Sequence, residues 1–400
     1  MIRIRKVEKK RMGDKARVVA TIIIDDVSYQ LWYEVEAAYE NALCADRSDA
    51  FVVGLLPLAF KKRENIFFDT PITWELLDGL TYDFIDVLCQ HQPELYRVTL
   101  IGDTCNAIEK KEEVVGTGVS CGVDSLFTIQ RRLVGDKKYK RYLLLNNMTD
   151  EDGFRSVRYN SLKRNAKSFA NEVGIDLIVS NSNYTSGEIP GLCSEGATTY
   201  CNLFSVLSLQ NIFTRYYIAS GGPICDFSKY INDGFFETDC SNYDLLTLSA
   251  CSTSSCRFIV DGFERRISKM QSIVNWPLTW THLDVCFVHS DVDGMNGTND
   301  CPKCMHTVVE ILISGGMSAL EHFNKVFNVQ YVKEHMEEYL ADLIRIKLQG
   351  SEYGEELWPL RKNANFTVLD YLKAFMIVFK KITKKILRFG KINNTFTSRG

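Results

Sequence analysis

Residues 114–125 constrain the fold of this chain more than any other stretch. They read Val-Val-Gly-Thr-Gly-Val-Ser-Cys-Gly-Val-Asp-Ser. The pattern predicts a strand over Val114–Val119, a tight turn at Ser120-Cys121-Gly122, and a helix that begins at Asp124 and Ser125. The backbone N–H groups and the dipole of such a helix start attract anions, and small side chains let the backbone close on a phosphate. An ordinary capped strand–turn–helix is the alternative.

Strands and helices alternate after this segment. Strands are predicted at Val114–Val119, Tyr142–Asn146, Ile175–Ser180, Arg215–Ala219 and Leu245–Ser249, and helices near Asp124–Leu133, Arg155–Glu172 and Ala197–Ile212. Apolar strands that alternate with amphipathic helices predict an α/β fold, here a parallel five-stranded sheet with helices on both faces. Ligands of such sheets bind beyond the carboxyl ends of the strands, where most of the polar motifs of this chain fall.

Three domains are predicted in the chain of 400 residues. Residues 1–112 form an N-terminal α+β accessory domain, because two β-rich runs flank the turn signal Asp25-Asp26. Residues 113–260 form the α/β domain, and residues 261–400 form a C-terminal helical region with a cysteine cluster.

Charge and cysteine usage narrow the class of protein. The net charge of −3 and the pI near 6.1 argue against a generally nucleic-acid-binding surface, although a local basic groove stays open. An odd number of cysteines, 13, and a charged N-terminus without a signal pattern predict a reducing, cytoplasmic setting with free thiols or a metal site. The longest apolar runs, Phe51–Phe60 and Tyr371–Phe379, are about half of a membrane span, so no span is expected.

The order Ser-x-Gly-Val-Asp-Ser at residues 120–125 resembles the Ser-Gly-Gly-x-Asp-Ser loop of the PP-loop ATP pyrophosphatase superfamily. The resemblance implies a sheet of that type and an ATP pyrophosphate held by Ser120, Cys121, Gly122, Val123, Asp124 and Ser125, with Asp124 also catalytic. It further implies Mg²⁺ beside the phosphates. Cys121 replaces the first glycine of the family, so a backbone conformation with positive φ is in question there.

Two further segments are candidate nucleotide contacts. The second strand ends in Asn146 and Asn147, at the edge where the superfamily receives adenine, and turn formation is the alternative for both. The run Glu264–Lys269 carries three cations, and the deazaguanine-type enzymes of the superfamily have a similar run. Arg266 and Lys269 are therefore predicted to be catalytic, stabilising the leaving pyrophosphate, unless the run is a solvated helix face.

A third constellation consists of cysteines. Cys286 precedes Cys301-Pro302-Lys303-Cys304, and a Cys-x-x-Cys pair at a helix start suits half of a tetrahedral thiolate site. The set resembles the terminal zinc knuckle of the deazaguanine (queuosine-precursor) synthase-like branch, which implies Zn²⁺ on Cys286, Cys301 and Cys304. That branch has a further cysteine where Thr298 stands, so His306, Cys256 and Cys251 are candidate fourth ligands. A redox-active dithiol and inert packing are the alternatives.

The main hypothesis is an ATP-dependent adenylating enzyme, which converts ATP to AMP and PPi and activates a carboxylate or amide oxygen for a nitrogen or sulfur nucleophile. A tRNA or small-molecule thiolation enzyme that uses Cys301 and Cys304 is one alternative. A non-catalytic nucleotide-binding protein with a loop blunted by Cys121 is another. The expected partner is a small-molecule or modified-base substrate, and a homo-oligomer stays open. The basic segment Phe379–Arg388 suits RNA phosphates, an anionic membrane surface or a solvated helix face.

Overall fold

The computed structural model describes residues 1–110, 112–135, 138–148, 154–192, 198–228, 239–286, 296–297 and 301–396. The chain divides into two compact units. The first unit comprises residues 1–120 and 124–265, and the second comprises residues 121–123 and 266–400. Within the described ranges, no helix combines the length and the hydropathy needed to cross a membrane.

One large sheet organises the first unit. Its strands and a separate short pair are β1 Ile2–Met12, β2 Lys15–Ile24, β3 Val27–Glu36, β4 Ile66–Phe68, β5 Ile72–Thr73, β6 Leu100–Ile101, β7 Thr104–Cys105, β8 Val114–Gly118, β9 Lys140–Asn147, β10 Asp176–Ser182, β11 Arg215–Ala219 and β12 Arg257–Asp261. Among the described residues, ten strands pair in the order β12-β11-β8-β9-β10-β3-β2-β1-β4-β6, and β5 pairs with β7. The α/β class is therefore confirmed, and the five-strand count is wrong.

Helices flank the strands and make up most of the second unit. The helices up to residue 265 are α1 Asp49–Lys62, α2 Trp74–Asp78, α3 Asp86–His91, α4 Val123–Ile129, α5 Phe154–Val173, α6 Thr198–Ser208 and α7 Asp244–Ala250. Those after it are α8 Arg266–Ile273, α9 Pro277–His282, α10 Pro302–His322, α11 Val329–Glu334, α12 Met336–Leu348, α13 Glu352–Leu357 and α14 Val368–Phe396. Single π-helical turns follow α2 at Gly79–Ile85 and α4 at Gln130–Val134.

The extra strands come from the N-terminal segment. The hairpin β2–β3 turns at Asp25 and Asp26, which both have positive φ, 50° and 64°, as a two-residue hairpin turn requires. Strand β3 then pairs antiparallel with β10, the last strand of the parallel set on that side. This pairing covers a strand edge that would otherwise be exposed, so residues 1–112 extend the sheet. The three-domain division itself stays a prediction.

The predicted fifth strand, Leu245–Ser249, is wrong, because this run lies within helix α7. Its buried positions Asp244, Thr247, Leu248 and Cys251 follow the spacing of one helical face, while Leu245 is 38% exposed. A short apolar run fits a strand or a helix equally well by pattern alone. The fifth parallel strand is β12, Arg257–Asp261, which pairs with β11.

The order of the parallel strands predicts where a ligand binds. The first of them along the chain, β8, lies in the middle, with β9 and β10 on one side and β11 and β12 on the other. The loops that leave β8 and β11 therefore run in opposite directions across the sheet and open a crevice between them. The loop that begins at Ser120 follows β8, so it lies at this switch point.

Candidate functional site

A cavity of about 320 Å³ lies at the carboxyl ends of β8, β9 and β11. It is lined by Gly118, Val119, Ser120, Ser125, Leu144, Leu145, Asn146, Leu162, Thr198, Asn202, Tyr216, Tyr217, Ile218 and Ala219. Its volume lies at the lower end of the range for small-molecule pockets. The crevice that the strand order predicts is therefore present, and the residues that line it come from several separate segments.

Two serines of the loop line this cavity. The backbone N–H of Val119 donates to Leu144 O at 3.0 Å and holds the start of the loop against β9. The hydroxyl oxygens of Ser120 and Ser125 lie 3.1 Å apart, with Ser120 exposed and Ser125 buried. Helix α4 begins between them and continues into a π-helical turn, so two hydroxyls and a helix start meet at the cavity. An anion is the ligand that such a group favours.

Cys121 takes the left-handed backbone conformation, with φ of 55°. Its side chain is fully buried, and its carbonyl oxygen accepts a hydrogen bond from Asp284 N at 2.9 Å within the second unit. A residue other than glycine in the left-handed conformation is strained by roughly 1 kcal/mol or more. The position where the pyrophosphate loop that this segment resembles has glycine thus adopts a glycine-like conformation here, and a cysteine occupies it.

Asn146 is fixed from the sheet side. Its Oδ1 accepts hydrogen bonds from the Tyr33 hydroxyl at 3.1 Å and from Ser180 Oγ at 2.7 Å. Among the described residues, its Nδ2 has no hydrogen-bond acceptor, and the residue lines the cavity, so Nδ2 can donate to a ligand there. Asn147 instead donates to Asn181 Oδ1 at 3.1 Å. Asn146 therefore fits a base contact, and Asn147 serves the sheet.

Arg266 and Lys269 do not lie on a solvated helix face. The Arg266 guanidinium pairs with the buried Glu310, Nε to Oε1 at 3.1 Å, and donates to Thr307 Oγ1 at 3.1 Å. Lys269 is 1% exposed. Helix α10 therefore holds Arg266 inside the second unit, and the role of both cations at a phosphate stays a prediction.

Tyr353 completes the polar group around Glu310 that sequence reasoning missed. Its hydroxyl donates to Glu310 Oε1. Burial, and next the Glu310 carboxylate, raise the pKa of Tyr353 well above its usual range, so the phenol stays protonated. The signal in the sequence was the helical spacing of Thr307 and Glu310, which places both on one face of α10.

Cys286, Cys301 and Cys304 lie together in the second unit. All three thiols are buried, and their sulfur atoms lie within 4.8 Å of one another. Cys301 precedes α10, whose first residue is Pro302, and Cys304 lies in the first turn. Burial, and then the neighbouring Cys286 and Cys301, raise the pKa of Cys304 far above its usual range. Three such thiols need a cation to become thiolates together.

The spacing fits one thiophilic ion. Two thiolates on one tetrahedral zinc lie roughly 3.8 Å apart, for Zn–S bonds of about 2.3 Å. A reactive zinc site has three protein ligands, and water or substrate occupies its fourth coordination position.

The predicted fourth ligands have other surroundings. His306 Nε2 lies 3.1 Å from Asp342 Oδ2, and its ring stacks on Tyr353 with centroids 4.6 Å apart. Cys251 and Cys256 are buried in the hydrophobic core of the first unit. Thr298, where the zinc knuckle that this segment resembles has a cysteine, lies outside the described residues. Among the described residues, the thiol group therefore has three members.

Asn296 supports the cysteine group and was not foreseen. Its Oδ1 accepts from the backbone N–H of Val285 at 2.8 Å and of Cys286 at 3.1 Å, and its Nδ2 donates to Leu283 O at 2.9 Å. The residue is 4% exposed. A buried amide of this kind fixes the backbone of a ligand residue.

A second cavity, of about 240 Å³, lies beside the turn Ser220-Gly221-Gly222 that follows β11. Asp244 lines it, is 4% exposed and accepts from Thr199 Oγ1 at 2.5 Å. Burial raises the pKa of Asp244 to about 7, against the hydrogen bond from Thr199 that lowers it. The carboxyl group is therefore poised between its neutral and charged forms near neutral pH.

Comparison with known proteins gives little likeness. No protein-family model matches the chain, and no curated protein matches it. Among solved structures, the chain is similar to "U34-tRNA thiolase NcsA from Methanococcus maripaludis with its [4Fe-4S] cluster", with 14% identity and a TM-score of 0.29. The likeness covers 62% of this chain and 73% of that one. No functional conclusion rests on a likeness of this size.

Proposed function

We propose that the protein is an ATP-binding enzyme that splits ATP into AMP and PPi to activate an acceptor oxygen. One observation carries the proposal: the loop at residues 120–125 resembles a pyrophosphate loop and lies at the switch point of the parallel strands, where its two serines line the cavity.

Each group has a part in this reaction. Ser120, Ser125 and the start of α4 hold the pyrophosphate by hydrogen bonds and the helix dipole. Asn146 Nδ2 donates to the base, which fixes the nucleotide relative to the loop. Asp124 is half-buried in the first helical turn, and its carboxylate suits a Mg²⁺ that neutralises the phosphates. Contacts that position the nucleotide and stabilise charge supply most of the acceleration in reactions of this kind.

The three cysteines favour a second candidate, transfer of sulfur to the activated acceptor. The supporting observation is a set of three buried thiols whose sulfur atoms lie within 4.8 Å of one another, close enough to share one ion. In this proposal Cys286, Cys301 and Cys304 hold Zn²⁺, which supplies a Lewis-acid position for a sulfur ligand. The main proposal needs the same ion only for folding.

Nucleotide binding by the purified protein tests the main proposal. We expect calorimetry to detect ATP with Mg²⁺, and Ser125→Ala, Asp124→Ala and Asn146→Ala each to weaken it by about tenfold, because each removes one charged or polar contact. Ser168→Ala is the matched control, since Ser168 lies on the exposed face of α5, where its hydroxyl donates to Glu172 Oε1 at 3.3 Å.

The proposal is wrong if Ser125→Ala, Asp124→Ala and Asn146→Ala all bind ATP as tightly as the control Ser168→Ala and the wild type do. To separate the two candidates, the protein is incubated with labelled ATP, unmodified tRNA as the acceptor of AMP, and either ammonium or sulfide, and AMP release is followed. The assay with Cys304→Ser is run at a temperature where circular dichroism shows that the variant is still folded. Under that condition, sulfide-dependent AMP release that disappears in Cys304→Ser supports sulfur transfer, whereas ammonium-dependent release that persists in Cys304→Ser supports the main proposal.

A further inference from the structure

Helix α14 has one face that is anchored and another that is not. Ala374 and Val378 are buried against Leu340, Ala341 and Ile344 of α12. Asp370 accepts hydrogen bonds from the backbone N–H and the hydroxyl of Thr367, both at 2.7 Å, and so caps the helix start. The helix is thus fixed to the second unit along the face that carries Ala374 and Val378. Its opposite face does not contribute to this core.

The exposed face of α14 is apolar. It carries seven large side chains that are 46–78% exposed: Val368, Leu369, Leu372, Phe375, Met376, Phe379 and Ile382. Their spacing of three and four residues places them in one continuous stripe. Single exposed apolar residues are normal, but a contiguous stripe of this length marks an interaction surface.

The charge of α14 identifies the kind of partner. The helix has seven cations, Lys373, Lys380, Lys381, Lys384, Lys385, Arg388 and Lys391, and one acid, Asp370, whereas the whole chain has a net charge of −3. Lys380 is exposed beside the stripe, and Lys381 is exposed on the side toward α12. A second copy of α14 would bring like charges together, and RNA phosphates would leave the stripe uncovered. A surface that is anionic with an apolar interior satisfies both features.

We propose that α14 docks the protein on an anionic lipid bilayer surface. The helix lies in the interface, with Phe375, Met376 and Phe379 among the upper acyl chains and the lysines at the headgroups. It does not span the bilayer. The docking is peripheral and falls as salt rises, because the lysine contribution is screened.

Vesicle co-sedimentation of the full chain tests this. We expect binding to vesicles of equal parts phosphatidylcholine and phosphatidylserine, and at least tenfold weaker binding to phosphatidylcholine alone. Phe375→Ser with Phe379→Ser removes the apolar contact, and Lys380→Glu with Lys381→Glu reverses the local charge. Each pair should reduce binding to the mixed vesicles at least tenfold.

Tyr82→Ser is the matched control, because Tyr82 is an exposed aromatic residue, 62%, in the first unit, and its variant should bind like the wild type. Circular dichroism and the melting temperature show whether each variant is folded. Absence of binding to mixed vesicles by the folded wild-type chain overturns the proposal. So does a dimer in light scattering that Phe375→Ser with Phe379→Ser converts to a monomer, since the stripe is then covered by a second copy.

Discussion

The crevice of the first unit and the cysteine group of the second differ in the chemical groups that form them. The crevice is made of strand ends and backbone, with polar side chains such as Asn146 already held by the sheet through Tyr33 and Ser180. The cysteine group is made of three buried side chains whose thiols lie within 4.8 Å of one another. The polar side chains of the crevice are therefore already held by the sheet, whereas the cysteine group is proposed to gain stability from an ion.

The largest effect should come from the cysteine group. Cys304→Ser in protein grown with zinc should lower the free energy of unfolding by about 5 kcal/mol or more, because binding energy that forms only in the folded state is lost. Zinc content by elemental analysis and calorimetric melting measure it. Cys225→Ser, at an exposed cysteine of the first unit, should change neither. If the wild-type protein contains no bound metal, the prediction is wrong, and the cysteine group does not differ from the crevice in its need for a ligand.

Asp244, in the first unit, should give a pH-dependent effect. Its pKa is raised to about 7 in the folded protein, against about 3.8 when unfolded, so the folded state binds more protons between these values. Its contribution to stability is thus fully present below about pH 4 and is lost as the pH rises through 7. Asp244→Asn keeps the acceptor for Thr199 and should raise the free energy of unfolding at about pH 8 by up to about 4 kcal/mol.

Urea unfolding of both proteins over a pH series measures this difference. The curves of wild type and Asp244→Asn should coincide below about pH 4, separate progressively between about pH 4 and 7, and stay apart at higher pH. Asp226→Asn, at another carboxylate beside the same cavity, is the control and should follow the wild type. Parallel curves at all pH values would show that Asp244 is charged throughout and that its burial costs less than its surroundings indicate.

The smallest effect is expected at Cys121. Cys121→Gly relieves the left-handed strain but removes a buried side chain, so the free energy of unfolding should change by less than about 1 kcal/mol. ATP affinity should be kept or raised, because glycine accepts the φ of 55° without strain. Cys121→Val should be less stable by a further 1–2 kcal/mol or so, since a branched side chain opposes this conformation.

Calorimetry of ATP binding and of unfolding checks both variants. A severe loss of turnover in folded Cys121→Gly would instead make the thiol itself functional. The function of the loop would then depend on a side chain, as that of the cysteine group does, and not on the backbone.

The sequence by itself determined the local elements on which both regions depend. The apolar strand, small-residue turn and helix start at residues 114–125 follow from local pattern, and the strand and α4 are present. The Cys-x-x-Cys at a helix start likewise places Cys301 and Cys304 one turn apart. Such features depend on neighbours in the chain, which the sequence displays directly.

Only the tertiary structure decided what lies far apart in sequence. It assigned Leu245–Ser249 to a helix and β12 to the sheet, because burial on one helical face outweighs a short apolar pattern. It joined β3 to β10, placed Asn296 under Cys286, and paired Arg266 with Glu310. These contacts depend on which surfaces meet when the chain folds, and no local pattern in a single sequence records that choice.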